Sequence, residues 1–105
     1  MSAFNESAAL DYPLFADDFG SPGDRILTDE IRTCRKPRTC CECLGPVQAG
    51  TRYRYHAAVY DGEMRHYAFC GDCCAAMAVN FDDDGAAMEA RWALRAEREK
   101  GAAHA

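Results

Sequence analysis

Two cysteine pairs, Cys40-x-x-Cys43 and Cys70-x-x-Cys73, stand out among the seven cysteines of this 105-residue chain. A C-x-x-C turn lets two sulfurs converge on one ion, and two such turns complete a tetrahedron of thiolates with metal–sulfur bonds of about 2.3 Å. The first pair runs straight into Gly45 and Pro46, a turn that shapes a knuckle around a metal. The second pair sits where a strand is predicted to end and a helix to begin, and the N–H groups at a helix start stabilise thiolates. The spacing predicts one structural Zn²⁺ held by Cys40, Cys43, Cys70 and Cys73. Cys34, Cys41 and Cys74 are left over. Cys74, on an alanine-rich helix, suits a small packing role; Cys41 could exchange with Cys40 only by coming one residue too close to Cys43. His56 and His66 lie within predicted strands and read as surface or packing residues rather than ligands.

Other chemistries fit less well. "CGDC" at a helix start could be a redox dithiol, but no βαβ pattern surrounds it. A hydrolytic metal site of the His-Asn-His kind needs a helix histidine, and "CCAAMAVNF" has none. The expectation is a protein that is not an enzyme. Four thiolates around Zn²⁺ carry a net −2. Arg35, Lys36 and Arg38 precede the knuckle, and Arg52 and Arg54 follow it, either as electrostatic support or as solvated surface charge.

These thiols need elements to position them. Residues 51–60 and 63–69, rich in aromatic and β-compatible side chains, flank Asp61-Gly62 and predict a β-hairpin. A helix follows Cys70. A second helix over "AAMEARWALRAEREK" takes Asp84 as its N-cap, with Met88 and Trp92 on one face and Arg95 and Glu99 on another. "ILTDEIRTCRKPR" predicts a helical turn capped by Thr28 and ended by Pro37. The segment "DYPLFADDFGSPGDR" mixes acids, aromatics, Pro and Gly and reads as irregular. Three segments result: an irregular acidic arm (1–33), a zinc-binding core (34–80), and a C-terminal helix and tail (81–105). The fold class is small α+β, stabilised by zinc.

Composition agrees with that class. Alanine inflates the 49% apolar content, so the core is small and needs a staple. The N-terminus has neither a basic start nor an apolar run, so no signal peptide is expected. No segment approaches the ~18 apolar residues of a membrane span. An odd cysteine count without a secretory leader points to a reducing cytoplasm, where paired thiols bind metal. The formal charge of −5 divides into −6 over residues 1–30, +4 over 31–70 and −3 over 71–105, which is not a nucleic-acid profile on the scale of the whole chain.

Knuckle, hairpin and helix-borne second pair follow the order of a treble-clef zinc site. The stretch "RKPRTCCECLGPVQAGTRYRYHAAVYDGEMRHYAFCGDC" resembles small zinc-binding proteins encoded by bacteriophages and prophages. Their pattern is matched at Cys40, Cys43, Val47, Gly50, Tyr53, Asp61, Gly62, Glu63, Tyr67, Cys70 and Cys73. Tyr60 stands where tryptophan would be expected, and Cys34 and Cys74 are unusual. The resemblance covers about residues 11–80. It implies a treble-clef-like metal site and a phage setting, with a host or phage protein as partner, for example transcription, restriction or CRISPR machinery. Tyr12, Phe15, Asp17, Asp18 and Phe19 are the candidate partner-binding residues, aromatic anchors among acids. The alternative is a nucleic-acid-binding zinc finger that uses Arg35, Lys36, Arg38, Arg52 and Arg54, with Tyr53 and Tyr55 as stacking groups.

Overall fold

The hairpin is the centre of the structure, a computed structural model that describes residues 4–14, 24–60 and 62–103, with side chains up to Lys100. Strands β4 (Arg52–Tyr60) and β5 (Glu63–Phe69) pair antiparallel, and Tyr60 opposite Glu63 closes the predicted two-residue loop. Gly62 has φ +79°, a left-handed conformation that glycine adopts without steric cost. Asp61 lies outside the described residues.

A third strand was not predicted. Residues Arg25–Thr33 form β1, antiparallel to β4, so the sheet order is β1-β4-β5. The helical turn expected around Thr28 is therefore corrected to strand. Arm and core are also continuous: the boundary at residue 33 divides one sheet. Nor is the arm irregular throughout, because Glu6–Asp11 form a helix, α1, with Asn5 as N-cap accepting from the Ala8 amide at 3.1 Å.

Register assigns the central strand two buried faces. Arg54, flanked by Ile31 and Phe69, shares one face with His56. That face meets α1 and the helix α2 (Gly71–Ala78) in a core of Ala9, Phe69, Cys74, Ala76, Met77 and Met88. Tyr53 and Tyr55 lie on the other face, against a small core of Cys34, Cys40, Cys43, Val47, Ala68, Cys70 and Cys73. The two-residue strands β2 (Arg38–Thr39) and β3 (Pro46–Val47) form the knuckle beside it, and helix α3 (Ala86–Ala103) is the last described element.

Two predicted roles change on inspection. Asp84 does not cap α3: it sits at φ 55° before Gly85 at φ 85°, and Asp83 accepts from the Gly85 and Ala87 amides at 2.9 and 3.0 Å. Arg54, a candidate nucleic-acid contact, is 1% exposed. Its guanidinium forks onto Asp29 at 2.7 and 2.6 Å and donates to the Ala9 and Tyr12 carbonyls at 2.9 and 3.0 Å. A strand arginine thus caps the C-terminus of α1, where a cation meets both the last carbonyls and the negative helix pole. Arg52, also a candidate, is half-exposed and paired bidentately with Glu6 at 2.9 and 3.0 Å.

Breaking a buried ion pair from one side leaves the other charge uncompensated. Arg54→Ala is expected to lower unfolding free energy by about 3–5 kcal/mol in denaturant titrations. Arg52→Ala, whose partner is exposed, should leave the midpoint nearly unchanged.

Candidate metal centre

Four sulfurs meet where knuckle and helix α2 converge. Cys40, Cys43, Cys70 and Cys73 are all buried, and their Sγ atoms lie within 4.8 Å of one another. Cys40 and Cys73 are 3.8 Å apart, Cys43 and Cys70 3.7 Å. A tetrahedron with bonds of about 2.3 Å has edges of about 3.8 Å, so the spacing suits a single ion bound by four thiolates. It is far beyond disulfide length, and the cysteines are free.

The local backbone explains this convergence. Between Cys40 and Cys43 the chain turns tightly: Leu44 donates to the Cys40 carbonyl at 3.0 Å, and Cys40 to the Gly45 carbonyl at 2.8 Å. The left-handed residue is Leu44, φ 61°, rather than the glycine. Gly45 instead leaves room for the Arg98 guanidinium: a Cβ there would stand 2.6 Å from Arg98 Nη1, which would have to shift, and 3.3 Å from Cys43 Sγ. Pro46, expected in the turn, opens β3 opposite Thr39. On the other side Cys70 is the N-cap of α2, its sulfur accepting from the Cys73 amide at 3.5 Å. Amides of Glu42 and Cys70 point at Cys40 Sγ at 3.4 and 3.3 Å. A sulfur of the quartet and a helix cap are here the same atom, which aligns helix start and site together.

The clustered thiols perturb one another. Hydrogen bonds from the Cys70 and Cys73 thiols draw the Cys40 pKa far below its ordinary value against the cost of burial. The hydrogen bond to Cys40 in turn pushes Cys70 up to about 12, and those to Cys40 and Cys70 push Cys73 up as well. Metal binding to cysteine replaces the thiol protons.

Helix α3 supplies the residue that sequence reasoning missed. Arg91 donates to Cys43 Sγ at 3.2 Å and Cys73 Sγ at 3.4 Å, and reaches Cys70 Sγ at 3.9 Å. Burial works against its charge, but the hydrogen bonds to the two sulfurs more than offset this and hold its pKa above its ordinary value. Arg95 and Arg98, one and two turns on, donate to the carbonyls of Cys41 and Cys43 at 2.5 and 2.8 Å. Trp92 donates to Glu42. The C-terminal segment is thus clamped onto the knuckle. Met88 is fully buried while Trp92 is 45% exposed, so that pair does not share one environment. Arg95 and Glu99 do pair, at 3.0 Å.

The other candidates are placed as follows. Arg35, Lys36 and Arg38 are exposed beside the knuckle. His56 is fully buried, its Nδ1 3.6 Å from Asp29, and His66 meets the Tyr55 hydroxyl; neither joins the sulfur quartet. Cys34 donates to the Lys36 carbonyl at 2.9 Å. Burial, the largest cause in each case, pushes Cys41 and Cys74 up to about 12. Tyr12 is half-buried against the α1–α2 core; Phe15, Asp17, Asp18 and Phe19 lie outside the described residues. Among the described residues, no helix is long and apolar enough to cross a membrane. No protein-family model, curated protein or solved structure matches the chain.

Outer-shell partners of metal ligands typically contribute 10–100-fold to affinity. Arg91→Ala is expected to weaken metal binding by about that factor in a chelator competition, while excess metal still restores the fold. Elemental analysis should find one metal per chain. Cys43→Ser or Cys70→Ser should abolish it, whereas Cys34→Ser, Cys41→Ser and Cys74→Ala should retain it.

Proposed function

We propose that this protein is a zinc-stabilised, treble-clef-like interaction module of phage or prophage type, without catalytic activity, that binds and modulates a host or phage protein. The carrying observation is the closure of the centre. Four buried sulfurs account for all four positions of a tetrahedral ion, and the Arg91 guanidinium lies against three of them. A catalytic zinc keeps a position for water or substrate, whereas a Cys₄ set is a structural one. Thiolate ligands and tetrahedral spacing favour zinc over harder cations.

A protein partner is favoured by exposed apolar side chains next to acids after α2. Phe81 is 69% exposed and directly precedes Asp82, Asp83 and Asp84; Val79 and Trp92 are exposed at 41% and 45%. Aromatic anchors within an acidic rim suit a basic protein surface, with charge steering the encounter. The segment with Phe15, Asp17, Asp18 and Phe19 carries the same combination of residue types. The partner class is host machinery whose nucleic-acid channel is basic, such as transcription, restriction or CRISPR complexes.

Deleting residues 1–24 would be a poor test, because it removes the α1 carbonyls that hold Arg54. Point substitutions avoid this. Tagged wild-type protein is expected to retain a specific protein from host lysate, and Phe81→Ala or Phe15→Ala/Phe19→Ala should release it with zinc content and melting unchanged. Equal capture by wild type and both variants would refute the assigned surface.

A further inference from the structure

We propose that the end of the sheet beside the knuckle carries a second site, for phosphate groups, formed by Arg32, Arg35 and Arg38. It is independent of the acidic protein-binding surface. A cavity of about 490 Å³ is lined there by Arg32, Thr33, Arg35, Arg38 and Tyr53. Every charged residue of that lining is an arginine, and the two others carry hydroxyls. The volume falls within the ~300–1,000 Å³ of small-ligand sites and exceeds what one inorganic anion needs.

The arginines are pre-arranged. Arg32 lies 3.7 Å over the Tyr55 ring and donates from Nε to the Tyr53 hydroxyl at 3.2 Å. Stacking on the ring holds the guanidinium in place; Nε is engaged by Tyr53 and Nη1 by Glu30, so Arg32 turns its Nη2 donors to an oxyanion. Arg38 stands 5.8 Å from the Tyr53 ring centroid and 5.9 Å from that of Tyr55, on the β2 strand that leads into Cys40. Arg35 lies in the bend between β1 and β2. Strand end, bend and knuckle thus bring residues 32, 35 and 38 to one opening.

The charge pattern selects the ligand. Glu30 meets Arg32 at 3.3 Å in an exposed pair, so it offsets one of three positive charges at the rim. A single carboxylate would still leave an excess, whereas linked phosphates present several charges with the geometry a guanidinium fork matches. These arginines are not needed to shield the sulfurs, a role filled by Arg91. The mode of recognition also follows. Tyr53 is buried and Tyr55 is covered by Arg32, so neither ring is open for base stacking, and contact is with phosphate rather than with base. Arg52 and Arg54, occupied by Glu6 and Asp29, do not belong to the site.

The test is fluorescence anisotropy of a labelled single-stranded oligothymidylate with zinc-loaded, full-length protein across a salt series, with pyrophosphate as competitor and polyglutamate as a control anion. Three phosphate contacts predict a slope of log K against log salt of about −2, at ~0.7 per phosphate for single strands. Arg35→Ala/Arg38→Ala, both exposed, should reduce the slope to about −0.7 and weaken binding with unchanged melting. Pyrophosphate should compete. Binding of pyrophosphate but not of the oligonucleotide would support the site and assign it to free nucleotides or polyphosphates. The proposal is overturned if neither phosphate ligand binds, if polyglutamate binds as tightly, or if the double variant binds like wild type.

Discussion

Bringing four thiolates into a buried space no wider than 4.8 Å is the constraint on which the rest of this structure depends. Like charges that close repel, and burial raises the cost further. A bound divalent cation would remove most of that cost, and backbone amides and the Arg91 guanidinium address the remainder. Each source of compensation is tied to a different element: the knuckle turn provides Glu42 N–H, the start of α2 provides Cys70 and Cys73 N–H, and α3 provides Arg91. Neutralising the centre therefore assembles three elements that have few apolar side chains with which to hold one another.

A second polar anchor complements it on the opposite face of the sheet. Arg54 joins β4 to Asp29 of β1 and to the carbonyl end of α1. The two anchors sit at either side of the central strand, one binding the N-terminal helix and the other the C-terminal helix. In a chain whose buried residues include many alanines and cysteines, hydrogen-bonded charge gives direction that side-chain volume cannot. Replacing such buried charge with apolar groups of matching shape need not destabilise a protein, so the arginines act here chiefly as specifiers of which segments meet.

What was legible in the sequence was local. The C-x-x-C spacings named the four converging cysteines, and Asp61-Gly62 between β-rich runs marked the hairpin to within one residue at its start. The misreadings each had a physical cause. "RILTDEIRT" forms an edge strand with most positions at least partly exposed, so no clean alternation marked it, and Thr28-Asp29-Glu30 imitated a helix start. Helix α1 has six residues, too few for a 3.6-residue period to register. The sequence points to Asp84 as the cap, but with Asp84 and Gly85 both in the left-handed region it is the Asp83 carboxylate that meets the Gly85 and Ala87 amides. Arg91 was missed because charge compensation was sought near the cysteines in sequence, whereas its contact with Cys43 spans 48 residues. The spacing of Arg91, Arg95 and Arg98, all on one helical face, was the available signal.

The centre itself is most directly tested by X-ray absorption at the zinc edge, on protein purified without chelator. The geometry predicts four sulfur neighbours at about 2.3 Å and no oxygen or nitrogen in the first shell. A first shell containing oxygen or nitrogen, fewer than four sulfurs, or a folded protein without bound zinc would contradict a closed Cys40–Cys43–Cys70–Cys73 zinc site.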